Sequence, residues 1–446
     1  MTDIPFSLMI LMAVTAAVFV RGLVQKAGYL KYPFLASAVV AGWFIPQALS
    51  LAADKTLPEG GYDLTMIYAA ASLIAAVLGE RWVSKLPTDK KWNYDERRLA
   101  IGAAVLSLIG AFAFSLTQST TRETTVEGLT TGVITIYYFL FTLQYMGLAI
   151  ALLLLLRKFS WFTFAIVAFD YSTILAFVLF GGRRGAAMDI SFITICAFWF
   201  VRGILLPRLA MIGGVVLGTL MVNVVGEYRR MVTLINANSS EPRLPTLSEF
   251  MDMPFLETFS KVTFEVRNAI FYISSAVQNG SYDFGLHYWN FFVFRYIPGQ
   301  IVGQDLKQWL MFDLPNDPSL VFDYKRHIGT TYTGFADTFG AFSFFGVLVF
   351  AGISALMHRW WRSGMAGNFE SRLIYIATVG TAMQSITHST EWFFIYLPQL
   401  FIFTWPILYW ARQSRASDQR IPGVGRTSSA AKASNPRYSH FRPSQR

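Results

Sequence analysis

Arg183 and Arg184 stand between glycines in the run Gly181-Gly182-Arg183-Arg184-Gly185. Guanidinium groups grip phosphate oxygens two at a time and keep their charge at low dielectric. Flanking glycines leave the backbone open to a bulky anionic head group. Two arginines anchoring a helix end among lipid head groups are the simpler alternative. Arg295 lies among Phe291, Phe292, Phe294 and Tyr296, and a charge in so apolar a setting marks a candidate anion site. Arg267 and Arg326 extend this basic set, together with Arg229, Arg230 and Lys325, although interfacial anchoring accounts for any one of them. Tyr288 and Trp289 offer ring faces on which a sugar can stack. His327 leads into Gly329-Thr330-Thr331-Tyr332-Thr333-Gly334. An imidazole accepts a proton from a hydroxyl near neutral pH, and the hydroxyls of Thr331, Tyr332 and Thr333 suit glycan recognition. His388 and Glu391 are three residues apart in His388-Ser389-Thr390-Glu391. They form either an acid/base pair or the cap of the helix that follows. The candidate proton acceptors are therefore His327, which is preferred, with His388 and Glu391.

Other chemistry lacks its residues. There is no phosphate-binding Gly-x-x-x-x-Gly-Lys-Ser/Thr loop, no HExxH, no Asp-x-Asp pair for a metal-bound nucleotide sugar and no histidine pair at ligand spacing. The single cysteine, Cys196, forms neither a disulfide nor a cysteine metal site within one chain. No metal and no cofactor is expected.

These groups must be positioned by a membrane-embedded frame. Of 446 residues, 54% are hydrophobic and only 14% charged. About eleven apolar stretches approach the length needed to cross roughly 30 Å of hydrocarbon. The fold class expected is all-α: a polytopic integral membrane protein with one large external loop. Its divisions are an N-terminal bundle at 1–225 with about eight spans, a loop at 226–338, C-terminal spans at 339–411 and a disordered basic tail at 412–446. Within the loop, apolar residues recur at helical spacing from Thr246 to Val277, which predicts amphipathic helices lying along the membrane. The segment Tyr288–Val302 is too short to span and reads as re-entrant or interfacial. Asp170 lies within a span, where a carboxylate is a functional candidate unless a neighbouring helix binds it. The net charge of +10 reports topology, not nucleic acid. Of 37 Lys and Arg, 24 fall in alternate short turns and the tail, which by the positive-inside rule puts the N-terminus and the loop outside and the tail inside.

The runs Gly182–Gly185, Arg295-Tyr296-Ile297-Pro298 and Gly329–Gly334, followed by Phe339-Gly340 and Phe345-Gly346, together resemble the bacterial O-antigen polymerase family (Wzy-type oligosaccharide repeat-unit polymerases), related to the O-antigen ligases. The likeness extends from about Tyr137 to Trp410. It implies a GT-C-like glycosyltransferase in the bacterial inner membrane that works on the periplasmic face without metal. The donor would be an oligosaccharide on undecaprenyl diphosphate, and a second lipid-linked repeat unit would supply the acceptor hydroxyl. Membrane lipids and a chain-length regulator protein are the other partners implied. By the resemblance, arginines at these positions bind the diphosphate, with Arg184 preferred over Arg183 because it directly precedes Gly185. The rival readings are an O-antigen ligase, which His327 keeps open, and, in another class, a transporter or flippase.

Overall fold

The computed structural model describes residues 4–83, 93–120, 123–124, 130–181, 183–218, 264–315, 317–326 and 330–413, with the single positions 231, 246 and 248. Apart from one small antiparallel pairing of Glu123–Thr124 with Thr130–Thr131, the described chain is built of helices and their connections.

The first helices follow from the apolar runs and their caps. They are α1 (Phe6–Val24), α2 (Tyr32–Leu51), α3 (Gly61–Trp82), α4 (Glu96–Ser119), α5 (Ile134–Arg157), α6 (Trp161–Gly181), α7 (Arg184–Arg202) and α8 (Arg208–Gly218). Pro46 removes one backbone donor from α2, and the helix widens into a π turn over Val40–Phe44 just before it. Asp95 caps α4 by accepting from the backbone N–H groups of Arg97 and Arg98. The second half adds α9 (Phe264–Asn279), α10 (Leu286–Tyr296), α11 (Thr333–Phe342), α12 (Val347–Met365), α13 (Phe369–Thr387) and α14 (Glu391–Ala411). A 3-10 turn over Ser343–Gly346 joins α11 to α12.

Among the described residues, nine helical segments are long and apolar enough to cross a membrane, so the chain is an all-α, multi-pass membrane protein. The nine are α1 to α7, the composite α11–α12 and α14. Of the remaining expected stretches, one falls on α13, a full 19-residue helix. The other falls on α8, whose continuation past Gly218 lies outside the described residues.

Packing between the halves is close. A Cβ on Gly79 of α3 would stand 2.0 Å from the Ala351 carbonyl oxygen of α12, so only glycine lets these helices approach so nearly. Near the same end of α3, Glu80 is 6% exposed and is held by Arg21 at 2.7 Å and Lys31 at 2.6 Å. That cluster ties α1 and the start of α2 to α3.

Two loop expectations need correction. Residues 246–263 lie almost wholly outside the description, but α9 does not lie along a surface. Its residues from Glu265 to Ala276 are buried, apart from Arg267. Its central polar residue finds partners inside the fold: Asn268 donates to Thr330 Oγ1 at 2.8 Å and to the Thr331 carbonyl at 2.9 Å. It also accepts from the Tyr324 hydroxyl at 2.6 Å. The second correction concerns α11, where helix begins at Thr333, ahead of the apolar run, and Thr333 to Ala341 are buried. The loop sequence therefore returns to the core before the C-terminal spans expected from residue 339. By contrast α10, at 11 residues, measures about 16 Å and cannot cross a bilayer.

Candidate functional site

The start of α10, the start of α11 and the turn between α13 and α14 meet at one end of the bundle. The Asp283 and Phe284 backbone N–H groups donate to the Gly340 and Ala341 carbonyls, which sets the entry of α10 against α11. Asp283 then faces His287 one helical turn on, with Oδ2 2.9 Å and Oδ1 3.0 Å from Nδ1. On the other side of the ring, Nε2 is 3.8 Å from Asp337 Oδ2. That oxygen also accepts from the Thr390 N–H and hydroxyl, both at 2.8 Å. Tyr288 shares a hydrogen bond with the same hydroxyl. Burial alone would pull the His287 pKa down, but the Asp283 hydrogen bond and the negative charges of Asp337 and Asp283 outweigh it and raise it to about 10. The group is an imidazolium at neutral pH, clamped between two carboxylates. It therefore cannot serve as a base. It fixes Thr390 and with it the first turn of α14, where Glu391 sits half-buried.

The Thr-rich run closes on the same place. Thr331 donates to the Thr387 carbonyl at 2.7 Å, beside His388, whose Nδ1 is 2.8 Å from the Thr387 hydroxyl. The His388 ring faces Trp392 at 6.4 Å. Tyr332 packs against Tyr272 at 4.7 Å, and the Arg326 guanidinium lies 5.0 Å from the Tyr332 ring. Thr333 is fully buried at a φ of 73°, a rare conformation for a β-branched residue. Its burial takes it away from any glycan. A Cβ on Gly334 would stand 1.7 Å from the Ser385 carbonyl oxygen, so α11 starts in contact with the α13 backbone. His327 lies outside the described residues.

The arginines separate into different settings. Arg295 stands with its guanidinium 5.2 Å from the Phe139 ring of α5. Burial pushes its pKa down from the ordinary value. No carboxylate pairs with it among the described residues. Phe139 also packs on Tyr296 at 5.6 Å. Arg183 lies 5.7 Å from the Phe177 ring, and Phe177, Phe141 and Tyr145 form a chain of edge-to-face rings leading inward. Arg184 opens α7, but its side chain is outside the description. Arg267 is elsewhere: it pairs with Asp54 at 2.8 Å and donates to the Thr56 hydroxyl at the connection after α2. Its charge is already answered there, so it does not join the anion site expected of it. Trp289 is 44% exposed and donates to the Leu310 carbonyl at 2.8 Å.

Sequence reasoning missed the three residues of the imidazolium clamp and also Asp189. The spacing of Asp283 and His287, one helical turn apart, was the available signal for the first. For Asp189 it was a carboxylate inside an apolar run. Asp170, which was noticed, is fully buried and accepts from the Ser107 hydroxyl at 2.8 Å, so a neighbouring helix accounts for it. Among the described residues, no three His, Cys, Asp or Glu side chains are grouped to hold a metal ion. Comparison with family models, curated proteins and solved structures finds no match to this chain.

Proposed function

We propose that this multi-pass membrane protein is a metal-independent glycosyltransferase. In this reading it has a GT-C-like frame of about eleven spans and joins lipid diphosphate-linked oligosaccharide units into a surface polysaccharide. The N-terminus and the loop from residue 226 to the start of α11 lie on the periplasmic side of the bacterial inner membrane, and the tail lies inside.

The observation that carries the reading is Arg295, a half-buried guanidinium in aromatic surroundings without a counter-ion among the described residues. A charge held in that condition is costly unless an anionic ligand completes it. A diphosphate is such a ligand, and a planar guanidinium meets it with two hydrogen bonds. In the transfer step, the bond from the donor sugar C1 to the diphosphate oxygen breaks. The electron pair leaves on that oxygen, where Arg295 stabilises the developing charge. The acceptor hydroxyl oxygen bonds to C1 and gives up its proton. Glu391 and His388 stand at the same end of the bundle to receive it, with His327 as a third candidate. The His287 clamp holds the α14 terminus on which Glu391 is mounted.

The test is purified protein in nanodiscs with a synthetic lipid diphosphate-linked repeat unit. A ladder of products that disappears in Arg295→Ala supports the reading. Glycan hydrolysis alone, or no lipid diphosphate binding, rejects it. In cells, loss of a polymerase leaves single repeats attached to the surface, whereas loss of a ligase leaves none.

A further inference from the structure

Asp189 is a further ionisable side chain, after Arg295, with no partner among the described residues. It sits on α7, one helical turn after Gly185 and therefore on the same face. That face meets α13 through a matched pair of small residues. A Cβ on Gly185 would stand 3.3 Å from Gln384 Nε2, and a Cβ on Gly380 would stand 1.8 Å from Asp189 Oδ1. Gly380 and Gln384 are themselves one turn apart. The two helices thus share a stripe in which each glycine makes room for the polar side chain opposite. Neither Asp189 nor Gln384 has a hydrogen-bond or ion-pair partner among the described residues, and both stay half-buried rather than sealed. Two phenols, Tyr145 of α5 and Tyr396 of α14, lie within electrostatic range of Asp189. Tyr396 is also within range of Arg295. A guanidinium and a carboxyl group, neither paired among the described residues, therefore both lie within electrostatic range of one tyrosine.

We propose that Asp189, with Gln384, Tyr145 and Tyr396, forms a subsite for a neutral polyhydroxylated sugar ring adjoining the diphosphate at Arg295. The proposal rests on the lipid diphosphate reading and deepens it. The chemistry fixes the polarity. A carboxylate repels phosphate and accepts hydrogen bonds from sugar hydroxyls, and phenol rings offer a stacking face. Arg295 does the reverse, so the amphoteric pair can seat a sugar diphosphate in one direction only. In a low-dielectric cleft, a carboxylate with no donor costs more than one bound to two hydroxyls. Asp189 is a positioning residue for the sugar and is given no part in bond breaking.

The experiment compares two probes on the full-length protein in nanodiscs: sugar-free undecaprenyl diphosphate and the same lipid carrying its oligosaccharide. Wild type is expected to bind the glycosylated lipid more tightly. In Asp189→Asn that increment falls by about tenfold or more, an amount set by the loss of hydrogen bonds to a charged acceptor, while affinity for the sugar-free lipid is unchanged. Gly380→Ala, whose added methyl displaces the carboxylate, should reproduce the loss, and a circular dichroism spectrum and melting temperature check that each variant is folded. If Asp189→Asn keeps the sugar increment, the subsite is refuted while the Arg295 reading stands. If Asp189→Asn weakens the sugar-free lipid equally, Asp189 acts on the fold and not on the sugar. If wild type binds neither probe, both the reading and the subsite fall together.

Discussion

Replacing Arg295 by Met separates a functional charge from a structural one. Methionine keeps an unbranched apolar stem and deletes the guanidinium, so most of the packing against Phe139 survives. In the empty protein, the charge over the Phe139 ring returns about 0.5–2 kcal/mol. Holding an unpaired ion partly away from water costs up to several kcal/mol, the figure for a fully buried ion. The difference favours the variant, so Arg295→Met should melt at the wild-type temperature or above it. With a diphosphate bound the sign reverses. Removing one member of a buried charge pair costs about 3–5 kcal/mol, or roughly two to four decades of affinity. Arg295→Lys should fall between, because an ammonium keeps the charge and loses the planar fork. The assay pairs differential scanning fluorimetry in nanodiscs with titration of sugar-free lipid diphosphate. Stability that rises while binding collapses marks a group kept for its ligand. If Arg295→Met loses stability and binding in proportion, the arginine is part of the scaffold and the argument from its missing counter-ion is wrong.

Three further outcomes are expected. The His287 pKa of about 10 lies above its ordinary 6.5, so its stabilising effect is complete below pH 6.5 and is lost as pH rises toward 10; thermal melts across that range should slope downward in wild type and flatten in His287→Gln. Arg267→Ala should lower stability by only about 0.2–1 kcal/mol, as for a partly exposed ion pair, and leave lipid diphosphate affinity unchanged; a tenfold loss of affinity would return Arg267 to the anion site. Because the native Cys196 is fully buried, cysteines placed at Leu320 and Ser434 can be labelled over a quiet background, and they should react from opposite sides of the membrane; same-side labelling would overturn the orientation.

The membrane spans were legible because hydropathy over about 20 residues is a strong local signal. The same logic misread α9 and α11. Asn268, Ser274 and Ser275 look like a solvated face, yet all three are buried. What holds Asn268 is a set of hydroxyls and a carbonyl more than 50 positions away, which no local pattern displays. Arg295 was visible because charge stood out against aromatic neighbours. Arg267 looked equivalent, but its partner Asp54 is 213 residues distant in sequence. The imidazolium clamp joins Asp283 and His287 to Asp337 across the Thr-rich run. Each is unremarkable alone and acquires meaning only when α10 and α11 are brought together.

The burial of α9 and α11 bears on how the chain is made. Neither helix carries enough apolar length to enter a bilayer by itself, and each packs on helices from the N-terminal half. The translocation machinery can therefore place α1 to α7 as they emerge, while α9 must wait outside the membrane until the rest of its socket exists. Gly334 of α11 docks on the α13 backbone at Ser385, so α11 reaches its final place only after α13 is made. Docking of the end of the bundle that carries the His287 clamp is thus a post-insertion event. A ribosome that stops before α13 would leave a correctly threaded protein in which α11 lacks the backbone it docks on, and quality-control proteases would meet an undocked α11 rather than a misinserted span.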